Sequence, residues 1–210
     1  MRKIKVCGLS RPQDVRLATD LGADLLGFVV APSPRSVTLE TLSRLVADVP
    51  ATVLTVAVAV NPTKEETDSL LEVVDRVQFH GSEAPDFCQR YGRRGIKAFR
   101  ISARQDLDRV AAYRGCVGAY LLDSYKEGQA GGTGHCFAWG YLQDQEFDRP
   151  TFLAGGLNPA NVGEAMRVES VDGLDVSSGL ESRPGVKDEG LMRRFFDTIR
   201  DGQRRDTCRP

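Results

Sequence analysis

Short apolar segments rich in branched residues recur along the chain, at 3–7, 25–30, 53–60, 76–79, 96–99, 119–122, 151–154 and 173–176. Two of them, LLGFVV and VLTVAVAV, are apolar on both parities instead of alternating. That pattern predicts parallel strands covered by helices on one side and by a packed interior on the other. Between the strands the period becomes helical: at 12–21; at 39–49, where Leu42, Leu45, Val46 and Val49 share a face; and at 64–74, introduced by Thr63 and Glu66 as a capping box. Pro85 and Asn158-Pro159 mark further helix starts, the second as an N-cap with proline at the first helical position. An α/β repeat of eight strands can form an open doubly wound sheet or a closed barrel. The count, and a length near the lower bound for closure, favour a single-domain (β/α)8 TIM barrel over residues 1–200. Residues 201–210 read as a polar, basic tail and are expected to be disordered.

Composition narrows the function classes. At 210 residues the chain can bury about 70% of its unfolded surface, enough for its own core. The 29 acidic and 28 basic residues nearly cancel, and no run of five like charges occurs, so nucleic acid is not an expected partner. The basic N-terminus is not followed by an apolar signal stretch and the longest apolar runs fall far short of a membrane span, so a cytoplasmic protein with no membrane partner is expected. The five cysteines, at 7, 88, 116, 136 and 208, form no C-x-x-C pair, which argues against a disulfide framework or structural zinc. His80 and His135 lack the spacing of a ligand set, so no metal is expected. Neither nucleotide-binding glycine motif occurs. Monomer and homodimer are both open.

Barrels of this type gather chemistry at the C-terminal ends of their strands, where Cys7, Arg35, Asn61, His80, Arg100, Asp123, Gly155-Gly156 and Ser177-Ser178-Gly179 stand. The last two groups follow strands 7 and 8, the usual phosphate-binding loops, where glycine admits close backbone approach and N–H groups can face an anion. Each alone reads equally as an ordinary turn; together they favour a phosphorylated small molecule. Period two puts Lys5 and Cys7 on one face of the first strand and Ile4 and Val6 on the other. A lysine beside the thiol is expected to lower its pKa towards neutrality and fit it as base or nucleophile; the alternative is a small buried hydrophobe. Asp123 closes an apolar run ahead of a glycine-rich loop, 128–134, long enough to cover a site; it reads as a general acid or as a solvated loop cap. Arg35 has the fork for a carboxylate, and Cys88, Cys116 and Cys136 read as structural.

The series KVCGLSR (5–11), DLLGFVVAPSPRSV (24–37), VQFHGSE (77–83), LLDS (121–124), GGTGHCFAW (131–139), LAGGLNPANV (153–162) and DVSSGLESRPGVKD (175–188) closely resembles the motifs of phosphoribosylanthranilate isomerases, in the family's order. The third strand lacks an aromatic often found there, and Phe79 stands where leucine is usual. The resemblance implies an eight-stranded barrel that performs, without a cofactor, the Amadori rearrangement of N-(5-phosphoribosyl)anthranilate to 1-(2-carboxyphenylamino)-1-deoxyribulose 5-phosphate in tryptophan biosynthesis. It implies Asp123 as general acid, Cys7 as general base, Arg35 on the anthranilate carboxylate, His80 and Asp175 near the substrate, and Gly155, Gly156, Ser177, Ser178 and Gly179 on the phosphate. Four alternatives remain: the related barrel isomerase of histidine biosynthesis, disfavoured because it carries an aspartate in place of Cys7 and needs a second phosphate loop; a dual-substrate isomerase that accepts both substrates; a metal-dependent pentose-phosphate epimerase; and a non-catalytic phosphate-ligand binding barrel.

Overall fold

In the computed structural model, residues 2–124, 139–142 and 145–207 are described. Eight parallel strands close into a barrel in sequence order: β1 (Lys3–Val6), β2 (Leu25–Val29), β3 (Leu54–Ala59), β4 (Arg76–Phe79), β5 (Gly92–Ile101), β6 (Val117–Ser124), β7 (Thr151–Ala154) and β8 (Gly173–Val176). Closure occurs where β1 pairs with β8, Lys5 lying opposite Asp175. The open doubly wound alternative is thereby excluded. Around the barrel run α1 (Pro12–Leu21), α2 (Leu39–Val46), α3 (Lys64–Leu71), α4 (Pro85–Gln89), α5 (Val162–Ala165) and α6 (Glu189–Thr207), with 3-10 segments at Arg104–Tyr113, Trp139–Leu142 and Ser178–Leu180. A small antiparallel ribbon, β9 (Glu181–Arg183) with β10 (Val186–Lys187), follows β8.

Strand parity sorts the core into two layers. Ile4, Val6, Leu26, Phe28, Val77, Phe79, Leu122 and Leu174 point outward and pack with the helices. Leu25, Val56, Ile96, Ala98, Ala119, Leu121, Phe152 and Ala154 fill the barrel interior. The expectation that Lys5 and Cys7 share the inward face follows from this division, since their neighbours Ile4 and Val6 belong to the outer layer. Full burial of a side chain such as Phe28 contributes about 1.5–3 kcal/mol, so the outer layer, with many such side chains, drives helices onto the sheet.

Several boundaries differ from expectation. The strands expected at 3–7, 25–30 and 53–60 are each shorter, while β5 and β6 outgrow 96–99 and 119–122. In β5 the exposed Arg93 and Arg94 mask the strand, which also bulges between Gly92 and Ile96. The α2 helix stops at Val46, short of Val49, because Pro50 disfavours helix in the residue before it, and Val49 N–H instead closes a tight turn on Val46. The α3 helix ends at Leu71, and Val73 and Val74 form a turn into β4. Its capping box is present: Thr63 accepts from Glu66 N–H and the Glu66 carboxylate accepts from Thr63 N–H. Asn158-Pro159 does not begin α5 directly: Asn158 accepts from Ala160 N–H in a turn and α5 starts at Val162. The segment expected as a tail from Asp201 is helical as far as Thr207, as part of α6. No helix among the described residues is long and apolar enough to cross a membrane.

Candidate active site

At the C-terminal rim Cys7 follows β1 and is buried, but not among hydrocarbon. A methyl group built on Gly27 of β2 would lie 2.9 Å from both Cys7 Sγ and Lys5 Nζ, so glycine is needed there to let thiol and ammonium sit side by side against β2. Lys5 is wholly buried and donates to Asp175 Oδ1 at 2.9 Å. Burial disfavours the Lys5 ammonium, but Asp175 and the Cys7 sulphur outweigh it, and Lys5 ends above its ordinary pKa.

The same surroundings correct one expectation. Burial, the strongest influence, pushes the Cys7 thiol above its ordinary pKa; Lys5 and more weakly Lys187 pull it down, and Asp175 adds to the upward push. Lysine therefore moderates the desolvation of Cys7 without overcoming it. Of the cysteines read as structural, Cys88 is fully buried and pushed up by burial to about 12, and Cys116 is buried as well.

Arg35, on the loop after β2, is bound to Glu181 of β9: Nε donates to Oε1 at 2.9 Å and Nη2 to Oε2 at 2.7 Å. Lys187 of β10 donates to Glu181 Oε1 at 2.9 Å and to the carbonyl of Ser177 at 3.0 Å. Burial alone would raise the Glu181 carboxyl, but these two cations hold it below the usual carboxylate range. Glu181 and Lys187 were not singled out from sequence. Their only signal was membership of the motif at 175–188, because the ribbon that brings them to Arg35 is too short to show a period.

Asp123 lies inside β6, one residue before its end, where the expected strand had stopped at Leu122. It is paired across the rim with His80, whose Nε2 stands 3.4 Å from Asp123 Oδ2. The other ring nitrogen, Nδ1, is 2.9 Å from Nε2 of Gln78, a buried side chain that sequence reasoning passed over. Beneath His80, Glu83 accepts from Lys97 at 2.7 Å and from the backbone of Asn61 at 2.7 Å, which fastens the loops after β3 and β4 to β5. Burial opposes ionisation of Glu83, but Lys97 and the backbone N–H groups bring its carboxyl below its ordinary value.

Gly155 and Gly156 both adopt positive φ, 91° and 67°, which side chains rarely tolerate. A methyl on Gly155 would also strike Ser124, whose hydroxyl donates to the Gly155 carbonyl at 3.0 Å. Asn158 and Asn161 side-chain amides both donate to the Gly156 carbonyl, at 3.1 and 3.0 Å. The loop after β8 abuts this one, since a methyl on Gly179 would collide with the Leu157 carbonyl. The two expected phosphate loops thus form one continuous surface, with Ser177 and Ser178 beside it. The glycine-rich cover at 128–134, with His135 and Cys136, lies outside the described residues.

A closed parallel barrel with a thiol, a carboxyl and two glycine loops along the C-terminal rim defines a (β/α)8-barrel enzyme. The family profile described as N-(5'-phosphoribosyl)anthranilate (PRA) isomerase matches residues 4–198. An N-(5'-phosphoribosyl)anthranilate isomerase of Magnetococcus marinus is 43% identical over 204 residues, covering 96% of each chain. The crystal structure of phosphoribosyl anthranilate isomerase from Thermotoga maritima superposes with a TM-score of 0.88 at 33% identity, covering 96% of this chain and 100% of that one. A second solved isomerase, in complex with reduced 1-(o-carboxyphenylamino)-1-deoxyribulose 5-phosphate, reaches 0.82 at 31% identity, with 96% and 100% covered. The chain belongs to the N-(5'-phosphoribosyl)anthranilate isomerase family.

Proposed function

We infer that this chain is the isomerase that converts N-(5-phosphoribosyl)anthranilate into 1-(2-carboxyphenylamino)-1-deoxyribulose 5-phosphate in tryptophan biosynthesis, with Asp123 as general acid and Cys7 as general base. Family membership supports the reaction. The observation that carries the assignment of roles is that Asp123 and Cys7 both stand at the C-terminal ends of barrel strands, one 3.4 Å from a histidine ring and the other beside a buried lysine.

Asp123 gives its proton to the furanose ring oxygen; the bond from C1 to that oxygen breaks, and the anthranilate nitrogen supplies the electron pair that makes an iminium. The Cys7 thiolate then takes the C2 proton, and the electrons of that bond form C1=C2 while the nitrogen recovers its pair. The resulting enol tautomerises to the C2 ketone as C1 gains a proton. An adjacent iminium acidifies the C2 proton, so a thiolate is a sufficient base. Gly155, Gly156, Ser177, Ser178 and Gly179 hold the phosphate, and Asp175, from its place beside Lys5, contacts the sugar. Arg35 holds the anthranilate carboxylate; Glu181 occupies its Nε and Nη2, so Nη1 is left for the substrate and the guanidinium arrives already oriented.

Turnover is read by the loss of anthranilate fluorescence from freshly prepared substrate, with the bisphosphorylated aminoimidazole carboxamide of the histidine pathway run alongside. The anthranilate substrate is expected to turn over; turnover of the histidine-pathway substrate alone overturns the assignment.

A further inference from the structure

Gln78 is 1% exposed, and two residues further on, on the same inward parity, stands His80. The Gln78 amide nitrogen Nε2 lies 2.9 Å from His80 Nδ1, while His80 Nε2 lies 3.4 Å from Asp123 Oδ2. The partner of Nδ1 decides which ring nitrogen carries the proton. An amide N–H can only donate, so it requires a bare Nδ1, and a neutral ring then carries its hydrogen on Nε2, facing the carboxylate. With the amide turned over, Gln78 Oε1 would accept from Nδ1–H and a bare Nε2 would confront Asp123 Oδ2, lone pair against lone pair. In the same placement Gln78 Oε1 is buried and has no hydrogen-bond partner among the described residues. A buried acceptor left unpaired is unfavourable, and such groups in native proteins call for a reason.

We propose that Gln78 is a positioning residue for the isomerase reaction: by donating to Nδ1 it locks His80 as the Nε2–H tautomer, which engages Asp123 Oδ2 and leaves Oδ1 to carry the proton delivered to substrate. The proposal rests on the reading of Asp123 as the general acid. His80 then faces Oδ2 with an N–H, across 3.4 Å, in both protonation states of Asp123. Neither Gln78 nor His80 transfers a proton; each acts through Asp123.

The tautomer is directly observable. The sequence holds two histidines, so His135→Gln leaves the ring of His80 as the only imidazole in a long-range proton–nitrogen spectrum recorded at mildly alkaline pH. The expected pattern is a protonated Nε2 and a bare Nδ1; a protonated Nδ1 in this otherwise native protein overturns the proposal. Gln78→Glu keeps the shape and replaces the donor by an acceptor, so a neutral ring carries its proton on Nδ1 and turns a bare Nε2 to Asp123. Its kcat is expected to fall about 10- to 100-fold, part of the 10²–10⁴ that a positioned acid supplies, while KM stays within about twofold. Gln78→Met covers the case in which a buried glutamate impairs folding: it removes the donor without charge, and a mixture of tautomers with a smaller loss of kcat is expected. Native kcat in Gln78→Met with mixed tautomers overturns the proposal. Asp123→Asn keeps the two failures apart. If that variant turns over normally the acid assignment falls, whereas the spectrum reports on Gln78 and His80 irrespective of turnover.

Discussion

Cys7 carries opposing influences that only the folded structure reveals. Sequence places a lysine two residues away on the same face, and this suggests a thiol drawn towards neutrality. Burial reverses the outcome, because desolvation of a thiolate outweighs an ammonium already committed to Asp175. The sign follows directly. A thiol with its pKa raised on folding is neutral below its ordinary value of 9.0, so the thiolate, the form able to take a proton, grows only as pH rises past that point. The ultraviolet absorbance of thiolate, measured as wild type minus Cys7→Ser, is expected to appear above pH 9, and kcat/KM is expected to climb on its alkaline side. A thiolate signal complete by pH 7 contradicts this. At the same scale, residue types after strands made Cys7, Arg35 and Asp123 legible as candidates. Gln78 and Glu181 were not, because a glutamine inside a strand and a glutamate in a ribbon acquire meaning only from partners remote in sequence.

At the scale of elements, the seam between β1 and β8 closes the barrel and contains a buried ion pair, Lys5 with Asp175. Removing one member strands the other charge in the interior, and the penalty for that is about 3–5 kcal/mol, whereas replacing both by apolar groups of similar volume is close to neutral. Asp175→Ala is therefore expected to lower the urea midpoint sharply, and the double variant Lys5→Met/Asp175→Leu to recover most of it. Equal losses in both contradict the account. Element existence was legible where periodicity was strong, as in α1 and in the capping box of α3. It was weakest at β5, whose apolar run is broken by Arg93, Arg94, Lys97 and Arg100. Lys97 nonetheless sits buried in that strand because Glu83, from the preceding loop, neutralises it. A pairing of that kind leaves no periodic trace.

For the whole molecule, barrel closure converts a linear motif series into a site. Residues 7, 80, 123, 155 and 177 are distant in the chain, and each falls at the end of its strand, so closure gathers them around one rim. The central claim is that a carboxyl and a thiol on this rim divide the rearrangement between them. It is tested most directly by the steady-state turnover of Cys7→Ala and Asp123→Asn, folded as judged by unchanged circular dichroism. Each is expected to lose about 10²–10⁴ in kcat, with KM little changed, since each removes proton transfer but not the phosphate or carboxylate grip. Near-native kcat in either variant would contradict the account.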